Sequence, residues 1–144
     1  VNGLRVTLCL ASWRPSPNEY AVGIIRPFLN ALCQANETYL RRFDPLIRRK
    51  TGKGIPDLLE SGIYYKREPP GREEWQDIPT TLLRGHGDCE DLACFMVAQL
   101  RYRGVKGARP IIKAQFPIRE DGRLFHILVG VGDERIDPSR LLGM

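Results

Sequence analysis

The chain has 144 residues, 42% hydrophobic and 27% charged, which suits one domain with its own core and excludes a disordered chain. No apolar run approaches the length of a membrane-spanning helix, and the run at 6–11 is too short for a signal-peptide core, so a cytoplasmic protein is expected. The net charge of +5 is mild. Its densest patch, Arg41-Arg42 with Arg48-Arg49-Lys50 and Lys53, reads as a solvated face, so neither a membrane nor nucleic acid is the expected partner.

Residues 5–12, rich in Val, Leu and Thr, predict a strand that Pro15 and Pro17 end. Apolar positions Val22, Ile25, Phe28, Leu29, Leu32 and Leu40 predict a helix over 20–43, kinked or begun near Pro27 and closed by Asp44-Pro45. Residues 46–62 read as a basic loop around a short helical turn at 56–60. Pro69-Pro70-Gly71 predicts a turn, Trp75 an anchor for it, and 78–83 a lead into the next helix. That helix starts after Asp88 and stops at Gly104, with Cys89, Leu92, Ala93, Met96 and Leu100 on one stripe. Strands are predicted at 108–117 and 124–131, joined by a charged turn at 119–122, and at 134–137 after Gly132-Asp133. The fold class is α+β, helices packed on a small antiparallel sheet. One domain spans 1–144, with its core at about 64–144 and the strand and helix of 4–43 as support.

Of the four cysteines (Cys9, Cys33, Cys89, Cys94), none forms a CxxC pair, and reduced thiols are expected. Cys89 stands out. It heads a helix after the glycines Gly85 and Gly87, where the macrodipole favours thiolate and the glycines would admit a substrate backbone. A cysteine on an apolar stripe equally suits a core. A nucleophile needs a base, and the histidines are His86 and His126. With a two-residue turn at Gly132-Asp133, Leu128 faces Asp137, so Asp137 shares a sheet face with His126 as its diagonal neighbour. Cys89, His126 and Asp137 then form a plausible nucleophile, base and orienter.

Gly-x-Gly-Asp-Cys-Glu-Asp-Leu-Ala before a helix, then Phe-His-Ile-Leu-Val and Arg-Ile-Asp-Pro-Ser, resembles the transglutaminase-like cysteine peptidase superfamily. The resemblance runs from about Trp75 onward. It implies a papain-like core and a transglutaminase-like domain in which Cys89 is nucleophile, His126 base and Asp137 orienter. The segment 67–75 and the ending 137–144 resemble a subgroup associated with bacteriophage and prophage, which implies phage structural proteins among the partners and a virion-associated location. The implied oxyanion donors are the Cys89 N–H and a side chain, with Gln76 and Trp75 as candidates, because position 83 is Leu where relatives carry glutamine.

Asp88, Glu90 and Asp91 bring three acids beside Cys89, which opposes ionisation of the thiol. On a helical wheel they point away from it, into solvent. They read as capping and solubility residues or, as in similar periplasmic proteases, as a calcium site. No cofactor is otherwise required. The expected function is hydrolysis or transfer at a peptide, isopeptide or glutamine amide of a protein or peptide substrate, through a Cys89 thioester. The rival is a non-catalytic assembly protein of a phage particle that uses the same fold as scaffold.

Overall fold

The computed structural model describes residues 5–8, 19–69, 73–114 and 125–144. In chain order these form β1 (Arg5–Leu8), α1 (Glu19–Thr51), a 3₁₀ turn (Leu58–Glu60), β2 (Tyr64–Tyr65), β3 (Glu73–Gln76), α2 (Ile78–Arg84), β4 (His86–Gly87), α3 (Cys89–Tyr102), β5 (Arg109–Ala114), β6 (Phe125–Val131), β7 (Glu134–Ile136) and α4 (Pro138–Leu141). Mixed helix and sheet match the expected α+β class. Residues 9–12 of the first predicted strand, Cys9, Pro15, Pro17, part of the Pro-Pro-Gly turn and the charged turn at 119–122 lie outside the described residues.

Helix α1 buries Ile25, Leu29, Leu32, Cys33, Asn36, Leu40 and Asp44, a stripe at steps of three and four. It does not close at Asp44-Pro45 but runs on to Thr51, through both prolines. Pro45 lacks the N–H of a helix interior and disfavours it. The neighbouring Asp44 offsets this by tying the helix to two other segments. Its Oδ1 accepts the Ile55 N–H at 2.6 Å, and its Oδ2 accepts the Tyr102 hydroxyl at 2.9 Å.

The expected lead into the central helix is a separate helix. Asp77 caps α2 by accepting the Thr80 N–H at 3.0 Å, and Gly85 ends it in the left-handed region at φ 73°. Strand β4 then pairs parallel with β2, Tyr64 opposite His86. Helix α3 begins at Cys89 as expected, but every residue from Cys89 to Gln99 is buried. Helix α1 packs along α3, which also lies on β6. Leu92 to Ala98 is an unbroken apolar run, and such a helix has no wet face.

Strands β5, β6 and β7 form one antiparallel sheet with β6 central. The hairpin follows the expected register, Val131 opposite Glu134 and Val129 opposite Ile136, with Gly132 at φ 56° in its turn. At Asp137 the chain leaves the sheet, and the Asp137 Oδ1 caps α4 by accepting the Arg140 N–H at 3.2 Å.

Candidate active site and acidic cluster

Cys89 is buried at the first position of α3, 9% exposed. Its thiol donates to the Glu90 Oε2 at 3.2 Å. The Ile127 backbone N–H bonds the sulfur in turn. The ladder explains that donor. Alternation from the Val131–Glu134 pair points the N–H groups of Val131, Val129 and Ile127 toward β7, and β7 has ended opposite Val129. Burial pushes the thiol well above its ordinary value, and the Glu90 and Asp88 charges add to this; the Ile127 N–H works against them. The macrodipole that favours thiolate at this position is thus opposed by desolvation and by two adjacent carboxyls.

His126, 5% exposed on β6, points its Nε2 at the Asp137 Oδ2, 2.9 Å away. Its Nδ1 is buried with no partner. Asp137 is thus both the neighbour of the imidazole and the cap of α4, through different oxygens. His86 sits on β4 beside the Tyr64 ring, 5.8 Å between centroids. Burial lowers its pKa, as do the charges of Lys66 and Arg84. Between the two histidines, the oriented one is His126.

The acids do not face solvent. Asp88 and Glu90 are 7% and 6% exposed and Asp91 not at all, because α3 is wrapped on all sides. Asp91 is a strut: its Oδ1 accepts the Gln76 N–H at 2.6 Å and its Oδ2 the Asp88 N–H at 3.3 Å. The acids whose oxygens lie within 4.8 Å of one another are Asp88 and Glu90 with a residue from elsewhere in the fold, without Asp91. The third acid is one that sequence reasoning missed. Glu68, from the segment after β2, offers an oxygen that with those of Asp88 and Glu90 forms a group all within 4.8 Å. Asp88 Oδ1 and Glu90 Oε1 are buried without partners. Burial raises the Glu68 carboxyl to about 7; its bond from the Glu74 N–H, at 2.6 Å, opposes this, while the Glu90 and Glu74 charges add to it. Burial also raises Asp88 well above the usual range, with Glu90 and Asp91 adding to it. Hard oxygens crowded in this way fit a calcium-sized ion.

Strand β3 brings Trp75 and Gln76 beside the first turn of α3 through the Gln76–Asp91 bond. Trp75 Nε1 is buried without an acceptor, and its ring meets Phe28 edge-on at 6.2 Å. Gln76 Oε1 is also buried without a partner. The two glycines also have structural roles. Gly85 ends α2, and a Cβ on Gly87 would stand 2.9 Å from the Asp91 Cβ, so its bareness admits Asp91. A cavity of about 210 Å³ opens nearby, lined by Glu68, Glu74, Gln76, Arg84 and His86 among others. Among the described residues no helix is long and apolar enough to cross a membrane. Comparison of the chain with protein-family models, curated proteins and solved structures finds no match.

Proposed function

We propose that the chain is a transglutaminase-like cysteine acyltransferase with a papain-like catalytic plan, acting on an amide of a protein or peptide substrate. The observation that carries this reading is the His126–Asp137 contact at 2.9 Å, which engages Nε2 and leaves Nδ1 buried and unpartnered. Cys89 touches the backbone of the next residue, Ile127. The resting thiol is neutral, so His126 Nδ1 acts as general base during attack rather than as half of a standing ion pair. The S–H proton moves to Nδ1 as Sγ bonds the amide carbon. The same proton then passes to the departing amine as the C–N bond breaks, leaving a thioester. Water attacks the thioester with His126 again taking a proton, and the acid product and the thiol are released. Asp137 stabilises the imidazolium in both halves. Calcium, where bound, would be held by Glu68, Asp88 and Glu90 and would supply counter-charge.

The burial of Cys89 favours the rival, a non-catalytic scaffold, and one experiment decides between them. A peptide carrying a thiol-directed electrophile in place of its amide, offered to the folded chain, is expected to label Cys89 and no other thiol. His126→Ala is expected to slow labelling by about a hundredfold or more, the contribution typical of a positioned base. Labelling that ignores His126, or none at Cys89, ends the enzymatic reading.

A further inference from the structure

We propose that Cys33 and Cys94 are a redox pair, joined in oxidising surroundings as a disulfide that braces α1 to α3 and leaves Cys89 a thiol. Cys33 lies on α1 and Cys94 on α3, the two helices that pack along one another. Both are free thiols, and neither has any exposure. The helix ladder fixes how they meet. The Cys94 thiol donates to the Leu29 carbonyl at 3.7 Å, and within α1 that carbonyl is the one that accepts the N–H of Cys33, four residues on. Cys94 Sγ therefore stands at the turn that bears Cys33, and the two thiols are hydrogen-bonded to one another. Cys89 is turned elsewhere, toward the Ile127 backbone of β6, so the pair closes without it. Packing alone asks only for a small apolar group at each position. Two thiols in contact across a helix pair can also exchange that contact for a bond.

The oxidant is a small-molecule disulfide, such as oxidised glutathione. One cysteine, as thiolate, attacks a sulfur of that disulfide, forms a mixed disulfide and releases one glutathione; the second cysteine then displaces the other. Two S–H bonds are lost and one S–S bond forms in the chain, while the two electrons and two protons pass to the two glutathiones. Burial holds the Cys94 thiol well above its ordinary value, and Cys33 beside it adds to this. Exchange in the closed fold is therefore slow and proceeds when α1 opens from α3. The bond closes a loop of roughly 60 residues, long enough to stabilise the fold by restricting the unfolded chain.

The inference stands apart from the acyl-transfer reading, because the disulfide is detected without turnover. The test is refolding of the full chain from urea in glutathione buffers of rising oxidised fraction, then alkylation of free thiols and peptide mapping without reductant. The folded chain, held in the same buffers, is the second arm. Cys33–Cys94 is expected to be the main disulfide in both arms, appearing more slowly in the folded one. The oxidised chain should melt at least about 5 °C above the reduced one. Cys89→Ser should leave the pair intact, and Cys33→Ala should leave Cys94 without a partner in the chain. A refolded chain whose Cys33 and Cys94 stay reduced in the most oxidising buffer, or whose disulfides fall on Cys9 or Cys89 instead, overturns the proposal. So does an oxidised chain that melts below the reduced one, or a pair that is lost in Cys89→Ser. Should the chain not refold, the second arm decides a few degrees below the melting temperature, where openings are frequent, and an absent pair there is equally fatal.

Discussion

Against β6, whose Ile127 backbone Cys89 meets, stands a carboxylate whose oxygens are both engaged: Asp137 meets the His126 ring at 2.9 Å and caps α4 at 3.2 Å. Toward the segment after β2, Cys89 touches Glu90, whose carboxyl lies within 4.8 Å of those of Asp88 and Glu68; Asp88 and Glu90 each keep an oxygen without a partner. Buried charge is tolerable when paired and costly when crowded. The first arrangement therefore serves proton movement without further help, and the second calls for protons or a cation. Asp91, on the same turn as the second, shows what pairing changes, since both its oxygens hold backbone donors.

Removing that pairing should have the largest effect. Asp91→Ala strands the N–H groups of Gln76 and Asp88 in the interior and is expected to cost about 3 kcal/mol in urea unfolding. A loss under 1 kcal/mol would mean that Asp91 belongs with its crowded neighbours after all. Next comes Asp137→Asn, which keeps the shape and the cap but takes the charge from His126. Labelling of Cys89 by the electrophilic peptide should slow by more than tenfold, with unfolding nearly unchanged. Undiminished labelling would reduce Asp137 to the cap of α4.

The smallest effect concerns pH with chelator present. Glu68 has an ordinary value of 4.5 and about 7 in the fold, so across that window the folded chain holds a proton that the unfolded chain releases. Its contribution to stability is therefore lost as pH rises from about 4.5 to about 7. Glu68→Gln should flatten the slope, and an unaltered slope would show that the proton sits elsewhere in the cluster. Asp44 runs the other way. Burial would raise its carboxyl, but the Ile55 N–H, the Tyr102 hydroxyl and Arg48 together hold it below the usual range. Its contribution is present above that range and disappears as pH falls through the folded value.

The His126–Asp137 side was legible in the sequence because a two-residue hairpin turn leaves one register, and register decides which side chains share a face. The acidic side was not. A helical wheel assigns the acids to water by assuming that one face is wet, and the unbroken run from Leu92 to Ala98 was the signal against it. Glu68 had no such signal. It follows β2 by three residues, and nothing periodic in that stretch says which helix it meets. Helix α1 was cut short for a related reason: the proline rule is local, whereas the contacts of Asp44 with Ile55 and Tyr102 come from 11 and 58 residues away.

The C-terminal turn has a mechanical consequence. The Tyr65 N–H bonds the Leu142 carbonyl at 2.8 Å, and the Lys66 N–H bonds the Gly87 carbonyl at 2.9 Å. The few residues from Tyr65 to Glu68 are thus a short lever. It is pinned at one end to the turn behind α4, whose first cap is Asp137, and it delivers Glu68 at the other. A load on Leu142 would reach Asp137 along α4 and the segment bearing Glu68 through the Tyr65–Leu142 hydrogen bond. A tag joined at Leu142 is therefore expected to move Asp137 and Glu68 together.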